Sequence, residues 1–167
     1  YMLTEIGDAV IKTLLKHGVE VIIHKYQTCC GNVAMAAGDE STFRALAKSN
    51  LELLSGLNVD AVIVACATCG YTLKHQYLAL LGNEPEEFLN MAKMVSDRTY
   101  DICEYLVNVI RVKRIWHKET QSPEDEIIVT YHDPCHLRRG LGIYKAHREM
   151  INLIEGVRFK EMSMPER

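Results

Sequence analysis

The sequence predicts an α/β protein built around a mostly parallel sheet, and three observations carry this prediction. Short apolar runs that suit buried strands alternate with longer segments whose apolar residues recur at helical spacing. Cysteines directly follow these apolar runs, and ligand sites of parallel sheets gather at the carboxyl ends of the strands. The chain has 167 residues, 48% of them hydrophobic and 25% charged, as expected for one ordinary globular domain.

The first elements are a predicted helix and a predicted strand. The helix has an apolar stripe and a stop signal at Gly18, and the stripe consists of Ile6, Val10, Ile11, Leu14 and Leu15. The short apolar run at residues 19–23 predicts the first strand, which ends just before the adjacent pair Cys29 and Cys30.

The second helix and strand lead to another cysteine pair. Asp39 or Ser41 can cap a helix whose apolar stripe runs to the neighbourhood of Gly56. Residues 61–65 are continuously apolar, which predicts a strand buried on both faces. This run leads into Cys66-Ala-Thr-Cys69, and a further helical stripe follows, consisting of Leu73, Tyr77, Leu80 and Leu81.

The remaining segments complete the predicted fold. Residues 86–96 and about 99–117 have helical patterns, residues 121–126 form a polar loop, and residues 127–131 predict a third buried strand followed by Cys135. Alternation of strands and helices predicts three layers, with helices on both faces of the sheet, as in Rossmann-like folds.

The cysteines are the candidate site residues. Adjacent cysteines make a strained disulfide, so Cys29 and Cys30 are better explained as ligands or as a ligand and a nucleophile. Neighbouring parallel strands lie about 4.8 Å apart, so we expect the sulfurs of Cys29, Cys30, Cys66 and Cys69 to converge within about 10 Å at one sheet edge. Cys135 follows the third strand in the same way. Cys103 lies in an apolar pattern and is expected to be packed.

Composition narrows the class of function. A net charge of −3 with interspersed signs gives no basic surface for nucleic acid. No apolar run reaches the length of a membrane span, and no leader peptide is recognisable, so the cytoplasm is the expected compartment. In a reducing compartment, cysteines serve in ligation or redox chemistry more often than in disulfides.

The residues themselves leave several roles open for the four cysteines of the two pairs. They can be inert buried thiols, since cysteine behaves as a small hydrophobic residue. They can form a zinc site with four thiolate ligands. Cys66 and Cys69 can also work as a dithiol pair at a helix start, although this leaves the adjacent pair unexplained. Gly31 and Gly70 directly follow the two pairs and are expected to permit tight turns there.

Three motifs in order resemble a known family. "CCG", a gap of 35 residues and "CATC" resemble the CCG cysteine-rich domain of heterodisulfide reductase catalytic subunits and of glycolate, lactate and anaerobic glycerol-3-phosphate dehydrogenase iron-sulfur subunits. The phrases "VACATCGYTLKHQY" and "TYHDPCHLRRGLGIY" resemble the family's phrases around its CxxC and around the lone cysteine that begins each copy. The resemblance extends over essentially the whole chain.

The resemblance also predicts how the copies are arranged. Aligning Gly18 with Gly156 makes residues 1–120 a first repeat without its lone first cysteine, and residues 121–167 the truncated start of a second repeat, packed with the first as one globular unit. In this alignment the missing cysteine falls before Tyr1 and the second adjacent pair falls beyond Arg167. We therefore expect the chain to be a piece of a longer protein.

The resemblance implies a function and a cofactor. It implies a noncubane 4Fe-4S cluster in the intact protein, bound through Cys29, Cys30, Cys66 and Cys69, with Cys135 as a ligand of the second copy. It leaves a zinc ion or an empty site as alternatives for this piece.

The implied role is electron transfer between a flavoprotein or ferredoxin-type partner and a quinone or disulfide acceptor, in the cytoplasm or on the cytoplasmic face of a membrane complex. The alternative is a non-catalytic scaffold domain that binds zinc or no metal. The resemblance assigns no catalytic residue, and it does not decide between disulfide reduction and hydroxy-acid dehydrogenation.

Overall fold

The computed structural model describes residues 4–115 and 126–163. The chain divides into two compact units, one up to Asp101 and the other from Ile102. Both units combine helices with a pair of parallel strands, in agreement with the predicted mixture of helices and parallel strands.

The first unit is mainly helical around one parallel strand pair. Its elements in chain order are helices α1 Thr4–Lys16, α2 Asn32–Ala36 and α3 Glu40–Gly56, strand β1 Val62–Val64, helix α4 Ala67–Tyr71, the π-helical segment π1 Thr72–Gln76, helices α5 Tyr77–Leu80 and α6 Glu86–Arg98, and strand β2 Thr99–Asp101. Its core is formed by α3, the helical run from α4 to α5, and α6, and includes Phe43, Ala47, Leu51, Leu73, Tyr77, Leu81, Ala92 and Val95.

Two of the predicted helix boundaries are confirmed. Asp39 caps α3, because its carboxylate oxygen Oδ1 accepts a hydrogen bond of 3.0 Å from the backbone N–H of Thr42. Gly18 ends α1 with a φ of 78°, and Val19 N–H donates to the carbonyl of Leu14 at 3.0 Å. The left-handed backbone at Gly18 explains the stop, since glycine adopts it at little cost.

The predicted helix at residues 99–117 is only partly correct. Its first residues form β2, which pairs in parallel with β1 so that Val62 lies opposite Thr99. Helical backbone follows over residues 102–110, and residues 111–115, the last ones described before the gap, are not helical. The first three residues pair with a strand far away in sequence, and this long-range pairing outweighs the local helical pattern.

The predicted first strand at residues 19–23 is not formed. In the part of the chain that the structure describes, these residues pair with no strand, and Ile22 and Ile23 are exposed. A strand depends on a hydrogen-bonding neighbour, and an apolar run cannot specify one by itself.

The second unit repeats this combination on a smaller scale. Its elements are helix α7 Ile102–Glu104, the π-helical segment π2 Tyr105–Ile110, strand β3 Ile127–Val129, the π-helical segment π3 His136–Gly140, helix α8 Ala146–Asn152 and strand β4 Val157–Phe159. Strands β3 and β4 are parallel, with Ile127 opposite Val157. Buried side chains of this unit include Leu106, Leu137, Ile143, Ala146 and Met150.

Three further sequence predictions can be compared with the structure. The strand at residues 127–131 is present as β3, but Ile127 and Ile128 are 47% and 54% exposed, so its predicted burial is wrong. The loop at residues 121–126 lies almost wholly outside the described residues. Within each unit, the described residues form a sheet of two strands rather than of three or more. None of the described helices is long and apolar enough to cross a bilayer.

Candidate functional site

The adjacent cysteines lie on a loop that ends at a left-handed glycine. Cys29 is exposed and Cys30 is buried, and Gly31 follows with a φ of 88° at the start of α2. A Cβ atom at Gly31 would lie 3.1 Å from Cδ2 of Phe43 and 3.4 Å from its carbonyl oxygen. Both the backbone conformation and this close approach therefore require glycine. The Gly31 N–H points at the Cys29 sulfur, with N and Sγ 3.5 Å apart.

The CxxC motif lies between a strand and a helix, as the sequence predicts. Cys66 follows β1 in an extended conformation and precedes α4, and Cys69 lies within α4 and is half-buried. Gly70, which we expected to permit a tight turn, is instead a buried residue within α4. Helix α4 begins directly after Cys66, so Gly70 lies inside the helix and not in a turn.

The structure brings the two cysteine pairs together. The side chain of Cys30 forms hydrogen bonds with those of Cys69 and Cys29, and Cys69 also interacts with Cys66. The four thiols therefore form one continuous group, although no strand precedes Cys29 among the described residues. The loop before α2 supplies Cys29 and Cys30, and the start of α4 supplies Cys66 and Cys69.

The buried thiols differ in acidity. The hydrogen bond from Cys69 lowers the pKa of Cys30 to about 6, with further hydrogen bonds from the backbone of Asn32 and from Thr72 acting against the effect of burial. The same contact raises the pKa of the Cys69 thiol, together with its burial and the neighbouring charges of Cys30 and Cys66. The shared hydrogen bond therefore favours the thiolate form at Cys30 and the thiol form at Cys69.

Two buried polar side chains hold the backbone of the adjacent pair. The Tyr77 hydroxyl donates to the carbonyl of Cys30 at 2.9 Å, and Asn50 Nδ2 donates to the carbonyl of Cys29 at 2.9 Å. Asn50 Nδ2 also lies 3.2 Å from the Tyr77 oxygen, and its Oδ1 accepts from the Thr28 hydroxyl at 3.1 Å. Burial raises the pKa of Tyr77, so the phenol stays protonated as the donor.

A second link joins the loop to the helix of the CxxC motif. Asn32 Nδ2 donates to Oε1 of Gln76 at 2.9 Å, and the Thr72 hydroxyl lies 2.7 Å from the same oxygen. Thr72 and Gln76 are the two ends of π1. Single π-helical turns inside helices occur frequently at functional sites.

Sequence reasoning missed the side chains that hold the cysteine loop in place. Asn50 and Thr72 are buried polar residues, and the apolar stripe that includes Tyr77 indicates no role for its hydroxyl. One signal was available: Asn50 lies three residues after Ala47, on the face of α3 that faces the core. A polar residue at such a position requires a hydrogen-bond partner, and the carbonyls of the cysteine loop supply it.

Cys135 lies in the second unit and has a different environment. It is exposed at the start of π3, where the carbonyl of Pro134 accepts hydrogen bonds from the backbone N–H groups of Leu137 and Arg138 at 3.0 and 2.9 Å. These bonds begin the helical turn that starts at Cys135, six residues after the end of β3. The structure therefore places Cys135 after a strand, as predicted.

An ion-paired carboxylate anchors the Cys135 loop. Asp133 has a side chain that is only 4% exposed, and it binds Arg138 at 2.7 Å and Arg148 at 2.8 Å. Arg148 also pairs with Glu161. Burial acts to raise the pKa of Asp133, but the hydrogen bonds from Arg148 and Arg138 hold it below the usual range.

Cys103, which we expected to be packed, is half-buried in α7. Its sulfur lies within 4.8 Å of a ring nitrogen of His147.

The donor chemistry of the first unit fits a thiophilic metal or cluster. The four thiols interact in a chain of neighbouring pairs, and the hydrogen bond from Cys69 lowers the pKa of Cys30. Soft thiolate ligands select zinc, copper(I) and iron–sulfur clusters. Cys29, Cys30, Cys66 and Cys69 are therefore the residues of this unit that can hold such a group.

Comparison with known proteins identifies the family and several relatives of the chain. A family described as "Cysteine-rich domain", CCG, matches residues 1–74 and 129–167. The chain is 39% identical to an uncharacterized iron-sulfur protein of Methanococcus maripaludis over 99% of the chain and 29% of that protein. It is 33% identical to a probable glycolate oxidase iron-sulfur subunit of Bacillus subtilis, over 93% of the chain and 34% of that subunit.

A third relative is one of the subunits of the dihydromethanophenazine:CoB–CoM heterodisulfide reductase of Methanosarcina mazei, which is 33% identical over 92% of the chain and 35% of the relative. The chain thus spans about a third of the length of these curated relatives. No solved structure matches it significantly. The family match covers both the cysteine-pair loop and the Cys135 loop, and the chain belongs to the CCG family of cysteine-rich domains.

Proposed function

We propose that this chain is the cysteine-rich part of an iron–sulfur oxidoreductase. Cys29, Cys30, Cys66 and Cys69 hold one cluster in this proposal, and Cys135 is a ligand of a second. The observation that carries it is the continuous group of four thiols formed by the cysteine loop and the start of α4. The relatives named as iron-sulfur proteins support the same cofactor class.

The surrounding residues have a defined task in this proposal. A bound iron–sulfur cluster supplies the capacity to store and pass on single electrons. Asn50 and Tyr77 fix the carbonyls of Cys29 and Cys30, which orients both sulfurs from one rigid backbone segment. Ligands that are positioned before the group binds need less reorganisation to hold it.

The finer features are part of the proposal, and family membership supports them. The cluster is of the noncubane 4Fe-4S type, and in the intact protein the strands extend into a three-layer, Rossmann-like sheet. Residues 1–120 form the first repeat and residues 121–167 begin the second. The intact protein works in the cytoplasm or on its membrane face, with a flavoprotein or ferredoxin-type donor and a quinone or disulfide acceptor.

A zinc-binding scaffold domain is the alternative, because four thiolates are also a complete zinc ligand set. The test is anaerobic reconstitution of the intact protein with iron and sulfide, followed by iron and sulfide analysis and by spectroscopy. The proposal expects a brown protein with iron and sulfide in cluster proportion. Zinc alone, bound tightly and without iron, contradicts it.

Variants locate the site. Cys30→Ser should remove the cluster of the first unit, whereas Cys103→Ser should leave the iron content unchanged. The isolated chain should hold a native cluster poorly, because in the family pattern a lone cysteine precedes the pair. Stoichiometric iron and sulfide in the anaerobically purified chain would contradict this expectation.

A further inference from the structure

The hydroxyl group of Thr72 lies against the group of four thiols. Thr72 follows Cys69 by three residues on continuous helical backbone, so the two side chains lie on the same side of the helix. Thr72 is fully buried, and its hydroxyl forms a hydrogen bond with the side chain of Cys30. A residue from the helix of the CxxC motif therefore contacts a proposed ligand from the adjacent pair.

The single hydroxyl proton of Thr72 has three acceptors within reach. The hydroxyl oxygen lies 2.9 Å from the carbonyl oxygen of Thr68 and 2.7 Å from Oε1 of Gln76, and the third acceptor is the Cys30 sulfur. Both oxygens also have another donor. The backbone N–H of Thr72 donates to the carbonyl of Thr68, and Asn32 Nδ2 donates to Gln76 Oε1 at 2.9 Å. The proton can therefore turn to the sulfur without leaving either oxygen unsatisfied.

The charge on the Cys30 sulfur decides which acceptor receives this proton. Cysteines bind metals as thiolates, so Cys69 loses the hydrogen that it donates to Cys30 when both are ligands. The hydroxyl of Thr72 keeps its hydrogen. A hydrogen bond to a charged acceptor is about twice as strong as one between neutral groups. The charged sulfur of a ligating Cys30 therefore competes well against the two neutral oxygens.

We propose that the Thr72 hydroxyl donates to the Cys30 sulfur in the loaded protein and raises the reduction potential of the cluster held by the first unit. The effect on the potential rests on the proposed function, whereas the hydrogen bond requires only a soft metal bound by the thiolates. Reduction adds negative charge to a cluster and its sulfur ligands, so a donor to one of these sulfurs stabilises the reduced state more than the oxidised state. Thr72 acts through a ligand and is not a ligand itself.

Two substitutions at Thr72 separate the donor from the shape of the side chain. Thr72→Val removes the hydroxyl and keeps a similar shape, and Thr72→Ser retains the donor. The intact, reconstituted protein is titrated with dithionite, which supplies the electrons, and the clusters are followed by electron paramagnetic resonance. At a fixed solution potential, we expect the ratio of reduced to oxidised first-unit cluster to fall about fivefold in Thr72→Val, the effect of one ordinary hydrogen bond. Thr72→Ser should keep the ratio of the unchanged protein, with equal iron content in all three.

Thr99→Val is the matched control for lost stability. Thr99 is also fully buried, and its hydroxyl donates to the carbonyl four residues earlier, that of Val95 at 2.6 Å. It lies at the junction of α6 and β2 rather than among the thiols. Both valine variants should lower the midpoint of urea denaturation, but only Thr72→Val should change the potential. Equal changes of potential in the two variants would overturn the proposal.

A second measurement detects the hydrogen bond without an iron–sulfur cluster. Cadmium-113 is a soft metal that thiolates bind, and nuclear magnetic resonance can detect its coupling to a proton that is hydrogen-bonded to a ligand sulfur. We expect a coupling between cadmium and the Thr72 hydroxyl proton, which Thr72→Val removes and Thr99→Val retains. Absence of this coupling in the cadmium-loaded protein, or an unchanged potential in Thr72→Val, would overturn the proposal. Failure of iron reconstitution in a protein that shows the coupling would overturn the cluster assignment and leave the hydrogen bond established.

Discussion

The cysteine regions of the two units are held by different kinds of interaction. In the first unit, the neutral side chains of Asn50 and Tyr77 bind the carbonyls of the cysteine loop, and the thiols lie against each other. In the second unit, Asp133 is paired with two guanidinium groups, and Cys135 remains exposed. The comparison teaches that similar loops can be fixed either by neutral hydrogen bonds, which are insensitive to pH and salt, or by ion pairs, which are not.

The largest expected change in stability comes from the ion-paired region. Asp133→Ala removes the carboxylate shared by Arg138 and Arg148, and we expect a loss of about 3 kcal/mol in the free energy of unfolding. Urea denaturation followed by circular dichroism measures it. The folded-state pKa of Asp133 is lowered, so its contribution is present above the unfolded value of about 4 and is lost as the pH falls through the folded value.

Glu161→Ala is the matched control, because Glu161 pairs with the same Arg148 but is 40% exposed. Exposed pairs contribute less than about 1 kcal/mol. Equal losses from the two variants would mean that Asp133 does not anchor the loop.

Loss of one of the neutral hydrogen bonds that hold the cysteine loop of the first unit should reduce stability less. Tyr77→Phe removes the donor to the carbonyl of Cys30 from a fully buried position, and we expect a loss of up to about 2 kcal/mol. Between pH 5 and pH 8 this loss should be constant, because neither Asn50 nor a protonated phenol titrates there. Tyr26→Phe, at a tyrosine that is 66% exposed, should have almost no effect. A loss that varies with pH across this range would contradict the assignment of this loop to neutral hydrogen bonds.

The pair of Cys30 and Cys69 adds one pH-dependent contribution to the stability of the first unit. In the metal-free, reduced chain, thiolate absorbance near 240 nm should show a transition near pH 6, which Cys30→Ser removes and Cys135→Ser retains. The folded pKa lies below the ordinary value of 9.0, so this stabilisation is complete above pH 9 and is lost as the pH falls through 6. At pH 7 it amounts to on the order of 1 kcal/mol. An unchanged transition in Cys30→Ser would assign the thiolate to another cysteine.

The sequence predicted the parts of the fold and site that depend on local signals. The cap at Asp39, the stop at Gly18 and the placement of Cys66 and Cys69 between a strand and a helix all follow from residues within a few positions of each feature. Such signals act through the nearest hydrogen bonds, and they hold whatever the rest of the chain does.

The sequence predictions that were wrong or missing concern residues whose partners lie far away in the sequence. Residues 99–101 form a strand because β1 lies beside them, and residues 19–23 do not because the described chain offers them no partner. The roles of Asn50 and Tyr77 were missed for the same reason, since their partners are carbonyls 21 and 47 residues away. A local pattern indicates that a residue is buried, but it does not indicate which distant backbone group the residue will bind.

The smallest change in stability should come from the exposed cysteine. Cys135→Ser alters a loop residue that contributes little to the core, and we expect a change below about 0.5 kcal/mol. In the intact, reconstituted protein it should nevertheless remove the electron paramagnetic resonance signal of one cluster and abolish electron transfer, because a hydroxyl is a poor ligand for iron where a soft thiolate is required.

Cys103→Ser should behave in the opposite way. It places a hydroxyl at a half-buried position in α7, and we expect a loss of about 1 kcal/mol with no change in iron content. Iron per chain and the unfolding free energy, measured side by side for the two variants, separate a ligand from a packed thiol, because a ligand affects mainly the first quantity and a packed residue mainly the second. Equal effects of the two variants on both quantities would show that Cys135 and Cys103 do not differ in this way.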